Sequence, residues 1–101
     1  MRLTPLQIET FKQIAAEVFG PQAQVWLFGS RTNDQRRGGD IDLYITGFSQ
    51  TGPEVQQAAN RFWSLAQLRL GEQRIDVVTA PTPDEPRLLI HRVAEETGIR
   101  L

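Results

Sequence analysis

The sequence contains no cysteine, which excludes a disulfide scaffold and every thiolate metal site. A single histidine, His91, excludes a histidine-rich zinc site. Any metal must therefore be held by oxygen. No apolar run approaches the roughly 20 residues that a membrane-spanning helix needs. The N-terminus also lacks the basic stretch followed by an apolar one that marks a signal peptide. A soluble, cytoplasmic protein with no membrane partner is the expectation. Neither sign of charge is in excess: eleven basic and twelve acidic side chains leave a net charge of −1, so strong nucleic-acid binding is not expected. Lysine is almost missing. Ten of the eleven basic residues are arginine, which suits forked contacts with phosphate or carboxylate.

What is present reads as one domain over residues 1–101, with 40% hydrophobic and 23% charged residues as in an ordinary globular protein. Thr4, Pro5 and Gln7 form a helix start, and Phe11, Ile14, Ala15, Val18 and Phe19 recur at helical spacing until Gly20-Pro21 stops them. The run QVWLF, from Gln24 to Phe28, is apolar on both faces, as expected of a covered strand. The segment from Asp40 to Ile45 alternates strictly, sending Ile41, Leu43 and Ile45 to a core face and Asp40, Asp42 and Tyr44 to the other. Thr51 with Glu54 predicts a second capping box, opening a helix from about Pro53 to Leu70 with Val55, Ala59, Phe62, Leu65 and Ala66 as its stripe. Arg74 to Val78 predicts a third strand, with Asp76 opposite the face of Ile75 and Val77. After a proline-rich turn, helical spacing resumes from about Glu85 and stops at Gly98. The order predicts an α/β (α+β) fold, a small mixed sheet of three or four strands with helices packed against it.

The chemistry lies in the aspartates. Strand residues at i and i+2 share a face about 6–7 Å apart, close enough for Asp40 and Asp42 to reach one ion or an ion pair. A divalent cation would offset their repulsion, and oxygen-only ligation points to Mg²⁺ or Mn²⁺. Asp76 would be a third ligand or a general base. Gly29-Ser30, at the end of the first strand, is placed to receive phosphate: glycine permits close backbone approach, the amides and the hydroxyl donate, and Arg31, Arg36 or Arg37 can add charge. The ending GKS/T of a P-loop is absent. A lone DxD also occurs in calcium loops and sugar-nucleotide glycosyltransferases, but DIDLYI lacks the glycine and distal glutamate of an EF-hand and the chain is small for the other class. The plain alternative is a solvent-facing strand edge paired with Arg36 or Arg37. Phe62, Trp63 and Leu68 together exceed what one core face of the middle helix requires, so they either finish the core, as Phe62 is expected to, or mark a partner patch. His91 reads as a surface or packing residue.

Gly29-Ser30, the nine residues that follow, Asp40-Ile41-Asp42 and Asp76 together resemble the DNA-polymerase-β-like nucleotidyltransferases, and among them the minimal, MNT-type proteins. The likeness runs over nearly the whole chain. It implies a polymerase-β-like fold and an enzyme, a Mg²⁺-dependent nucleotidyltransferase that moves a nucleoside monophosphate, AMP from ATP or its equivalent from another NTP, to an acceptor hydroxyl. Asp40, Asp42 and Asp76 would be the catalytic and metal-binding acids for two Mg²⁺ ions. Gly29 and Ser30 would hold the triphosphate, and of the loop arginines Arg31 and Arg37 are expected to join them on the strength of their charge. The resemblance also implies a small helical HEPN-type partner, with the chain as antitoxin or catalytic half of a two-chain system and a toxin tyrosine among the acceptors. A second copy of the chain is the other partner expected. The competing expectation is a non-catalytic antitoxin or nucleotide-binding subunit that acts by complex formation.

Overall fold

A computed structural model describes residues 3–29 and 40–101. Helix α1, Pro5–Val18, begins as its sequence predicts: the Thr4 hydroxyl accepts from Gln7 N–H at 3.1 Å, and the Gln7 side chain accepts from Thr4 N–H at 2.9 Å. Two of the orphan donors of the first turn are thereby satisfied. Strand β1, Gln24–Phe28, leads toward β2, Ile41–Thr46. Helix α2, Pro53–Leu70, then crosses over to β3, Ile75–Thr79, and α3, Leu89–Thr97, is followed by the two-residue β4, Ile99–Arg100.

The strands form one mixed sheet in the order β3-β2-β1-β4. β1 pairs antiparallel with β2 and with β4, while β2 and β3 run parallel, as a strand–helix–strand crossover requires. Helices α1 and α2 cover one face. There Phe11, Ile14, Phe62 and Ala66 meet Leu27, Ile41, Leu43, Ile45 and Ile75 in the main core. The strict alternation of β2 is therefore used as the sequence predicts, with Ile41, Leu43 and Ile45 wholly buried.

Helix α3 covers part of the opposite face, burying Ala94 against Phe28 and Tyr44, with Trp26 and Val78 at the margin. Tyr44 is consequently buried although it shares a face with Asp42. Its hydroxyl donates to Glu95 at 2.9 Å, and Arg87 pairs with the other Glu95 oxygen. His91 is a packing residue here: its Nδ1 accepts from Leu88 N–H at 2.9 Å, and its ring lies 6.3 Å from that of Tyr44.

Four expectations are corrected. α2 has Gly52, at φ +59°, as its N-cap with no side-chain cap, so Thr51 and Glu54 form no capping box. The last helix begins at Leu89 rather than near Glu85. β4 is a strand beyond the three the sequence predicts, formed by residues of the tail after Gly98, and Asp40 immediately precedes β2 rather than opening it.

Candidate functional site

The acids come together because of register. In the parallel pair Asp42 stands directly beside Asp76, and in the antiparallel pair it stands opposite Phe28, the residue before Gly29. Neighbouring strands lie about 4.8 Å apart, so the two carboxyl groups share one face at adjacent-strand distance. They are close enough to form a hydrogen bond when one is protonated. Asp40 adds its charge from the segment entering β2. That segment is fixed by Ile41 N–H, which donates to the Arg74 carbonyl at 2.9 Å.

Gly29 completes this edge. Its φ of +77° is one that side-chain-bearing residues rarely adopt, and a Cβ built on it would collide with Asp42 Oδ2. The backbone at the end of β1 thus lies directly against the Asp42 carboxylate. Ser30, Arg31, Arg36, Arg37 and the Gly38-Gly39 pair lie outside the described residues.

Burial raises the Asp42 carboxyl above its ordinary range, and the charge of Asp76, the hydrogen bond to Asp76 and the charge of Asp40 push in the same direction. Each of these effects disfavours the ionised form, and nearby positive charge would reverse them. The donor set at this edge is all oxygen, so it fits a hard cation such as Mg²⁺. Among the described residues, no group of three acidic or histidine side chains is arranged to hold a metal ion. What the structure brings together is a closely coupled pair, Asp42 and Asp76, with Asp40 beside it. Mg²⁺ is commonly bound by one or two carboxylates with water and substrate phosphates completing its shell, so a pair meets that requirement without a protein cage.

A cleft of about 650 Å³ opens beside the acids at the β3 edge, where Asp40 and Asp76 share the lining with Trp63, Gln67, Glu72 and Arg74. Gln67 fixes one wall. Its amide donates to the Gln73 carbonyl at 2.8 Å and its carbonyl accepts from Gln73 N–H at 2.8 Å, so the turn leading into β3 is held at both polar groups of one residue. Trp63 stands out in the sequence as an excess aromatic, whereas nothing there marks Gln67, Glu72 or Arg74 as neighbours of the acids. A glutamine one helical turn beyond an unaccounted tryptophan carries no chemical signal by itself.

No family model matches the chain, and no curated protein matches it. Among the described residues, no helix is long and apolar enough to cross a membrane.

Proposed function

We propose that the chain is a minimal nucleotidyltransferase, moving a nucleoside monophosphate, AMP from ATP in the simplest case, to an acceptor hydroxyl. The observation that carries this reading is the register that sets Asp42 beside Asp76, with the Gly29 backbone against the Asp42 carboxylate. In such a reaction the acceptor oxygen bonds to the α-phosphorus, the bond to the bridging oxygen of pyrophosphate breaks, and the acceptor proton passes to a base. Asp76 is exposed and stands beside Asp42, which suits it to take that proton. Asp42 and Asp40 would hold Mg²⁺ together with the triphosphate. When bound, the ion would supply charge stabilisation and in-line orientation to the transferring phosphoryl group. Gly29 lets the chain turn close to the phosphates, with Ser30 as the donor the resemblance assigns and Arg31 and Arg37 as the loop charges that would join it.

The second reading, a non-catalytic antitoxin or nucleotide-binding subunit, is favoured by α3. Its Leu89 is 74% exposed, and Leu88, Ile90 and Val93 are exposed with it. A helical HEPN-type partner is the occupant the family resemblance implies. Incubation with α-labelled ATP, Mg²⁺ and the product of the adjacent gene tests both readings. Label transfer lost in Asp42→Asn and Asp76→Asn supports the enzyme. A tight complex that forms without label and survives both substitutions supports the binder and removes the transferase.

A further inference from the structure

α1, α2 and α3 begin differently. α1 closes its first turn with the neutral side chain of Gln7, and α2 has no side-chain cap. In α3 the corresponding position is His91, whose Nδ1 accepts from Leu88 N–H at 2.9 Å. Leu88, the residue before the helix, has no side-chain oxygen to return a bond, so this contact is the cap.

The bond needs a lone pair on Nδ1. Neutral imidazole has one there when its proton is on Nε2, whereas imidazolium carries N–H at both nitrogens and accepts nothing. A proton on His91 therefore sets two donors against each other and adds positive charge at the helix end where it is least favourable. Gln7 in α1 has no such second state. The His91 ring also has little room to turn away, being 8% exposed and 6.3 Å from the ring of Tyr44 on β2. Among the described charged groups around it, Glu85 is held below the ordinary carboxylate range by its hydrogen bonds at Thr82, and Glu95 by the Tyr44 hydroxyl and Arg87; both also feel the charge of His91. Arg87, paired with Glu95, and Arg92, next to His91 in the helix, oppose a further positive charge.

We propose that His91 is a proton-operated latch on the first turn of α3. Neutral, it closes that turn over the sheet; protonated, it releases the turn, while the Tyr44–Glu95 hydrogen bond keeps the second half of the helix in place. Glu95 remains ionised where histidine titrates, since the ordinary carboxylate range already lies lower. The end of α3 that moves carries the exposed Leu89 and Ile90, and the sheet face beneath the helix is the one to which β2 sends Tyr44 and Asp42. α3 thus presents different apolar surface at different pH. The latch does not depend on the transferase reading.

Histidine is the side chain that ordinarily changes charge between about pH 8 and about pH 5, and the test compares the full chain at those two ends. Amide hydrogen exchange is read residue by residue by NMR, corrected for the intrinsic effect of pH, and the His91 ring signals are followed in parallel. As the ring titrates, protection of the Leu88, His91 and Arg92 amides is expected to fall about two- to thirtyfold, the range for a lost helix cap, while the amides from Glu95 to Thr97 keep theirs. His91→Gln keeps an acceptor at this position but cannot titrate, so its protection should be the same at both ends. His91→Ala should have the lower protection throughout; if it fails to fold, His91→Gln still carries the comparison. Unchanged protection in the parent chain with its ring demonstrably charged overturns the latch. So does a ring that stays neutral at the lower pH. A loss of equal size in His91→Gln assigns the effect to another group and overturns it as well.

Discussion

Asp42 and Asp76 stand side by side in the parallel pairing of β2 and β3, and Asp42 is the more enclosed of the two. Burial, Asp76 and Asp40 all raise the Asp42 carboxyl. A raised native value means that the protonated form is favoured by folding. The stabilisation is fully present below the unfolded value of about 3.9 and is lost as pH rises through the higher native value. At neutral pH the ionised side chain is therefore a burden on the metal-free fold. Asp42→Asn should raise the Tm at pH 7 without divalent cations by a few degrees, corresponding to less than about 1 kcal/mol after solvent screening. The difference should shrink toward pH 3. Added Mg²⁺ should raise the Tm of the parent chain more than that of the variant. A variant less stable than the parent at pH 7 would contradict this account.

Gly29→Ala should do more than strain the backbone. Gly29 and Gly71 both have positive φ, +77° and +86°, where a side chain is strained, so alanine at either is expected to cost about 1–3 kcal/mol. Only at Gly29 does the new Cβ meet Asp42 Oδ2; at Gly71 nothing lies within 4 Å. Calorimetry should therefore find a backbone loss in both variants, with a loss from the Asp42 clash in Gly29→Ala alone. Mg²⁺-dependent stabilisation should fall in Gly29→Ala and persist in Gly71→Ala. Equal Mg²⁺ responses would separate Gly29 from the acid site.

Tyr44 is the only tyrosine in the chain, so absorbance near 295 nm follows its ionisation alone. Burial, the hydrogen bond to Glu95 and the Glu95 charge push its hydroxyl up to about 12, with Arg87 acting weakly in the other direction. The native titration should have its midpoint near that value, while the denatured chain titrates near 10. The raised native value means that this contribution to stability holds below about pH 10 and is lost as pH rises through the native midpoint. Glu95→Gln should move the native midpoint down toward the denatured one. An unchanged midpoint would remove Glu95 as a cause.

The two-residue period of β2 made the acid edge legible. Once Ile41, Leu43 and Ile45 face a core, Asp42 must face away from it, and the same logic places Asp76 on β3. The pairing that sets those two aspartates at one level is not in either segment. It follows from the parallel crossover through α2, which sequence periodicity identifies without fixing its register. Tyr44 shows the same limit. Its alternation is correct, but its burial depends on α3 settling over that face. β4 was illegible because two residues carry no period, and they form a strand only by pairing with Trp26 and Leu27. Thr51 and Glu54 have the spacing of a capping box, yet the chain enters α2 through Gly52 at positive φ, one residue later. Trp63 left a trace as an aromatic outside the apolar stripe, but its cleft is assembled from the C-terminal half of α2, the turn after it and the start of two strands.

Phe62 and Trp63 are adjacent in α2 and should respond to truncation in opposite ways. Phe62 has no exposed surface, and its ring lies 6.2 Å from Phe11 and 6.3 Å from Phe19 at the centre of the main core. Phe62→Ala removes those contacts and leaves a cavity, which typically costs about 3–5 kcal/mol. That is a large part of the 5–15 kcal/mol or so that a domain has in total, so urea unfolding should show a much lower midpoint or a chain already partly unfolded. Trp63 sends about half of its surface to solvent and lines the cleft instead of the core. Trp63→Leu should shift stability by less than about 1 kcal/mol, because a partly exposed aromatic replaced by an apolar side chain loses little buried area. Leu68, 80% exposed on the same helix, provides the reference for a substitution that touches no core. If Trp63→Leu unfolds at nearly the same urea concentration as Leu68→Ala while Phe62→Ala does not, α2 has one buried aromatic that holds the fold and one half-exposed aromatic left for binding. A Trp63→Leu loss approaching that of Phe62→Ala would place the indole in the core and remove it from the cleft.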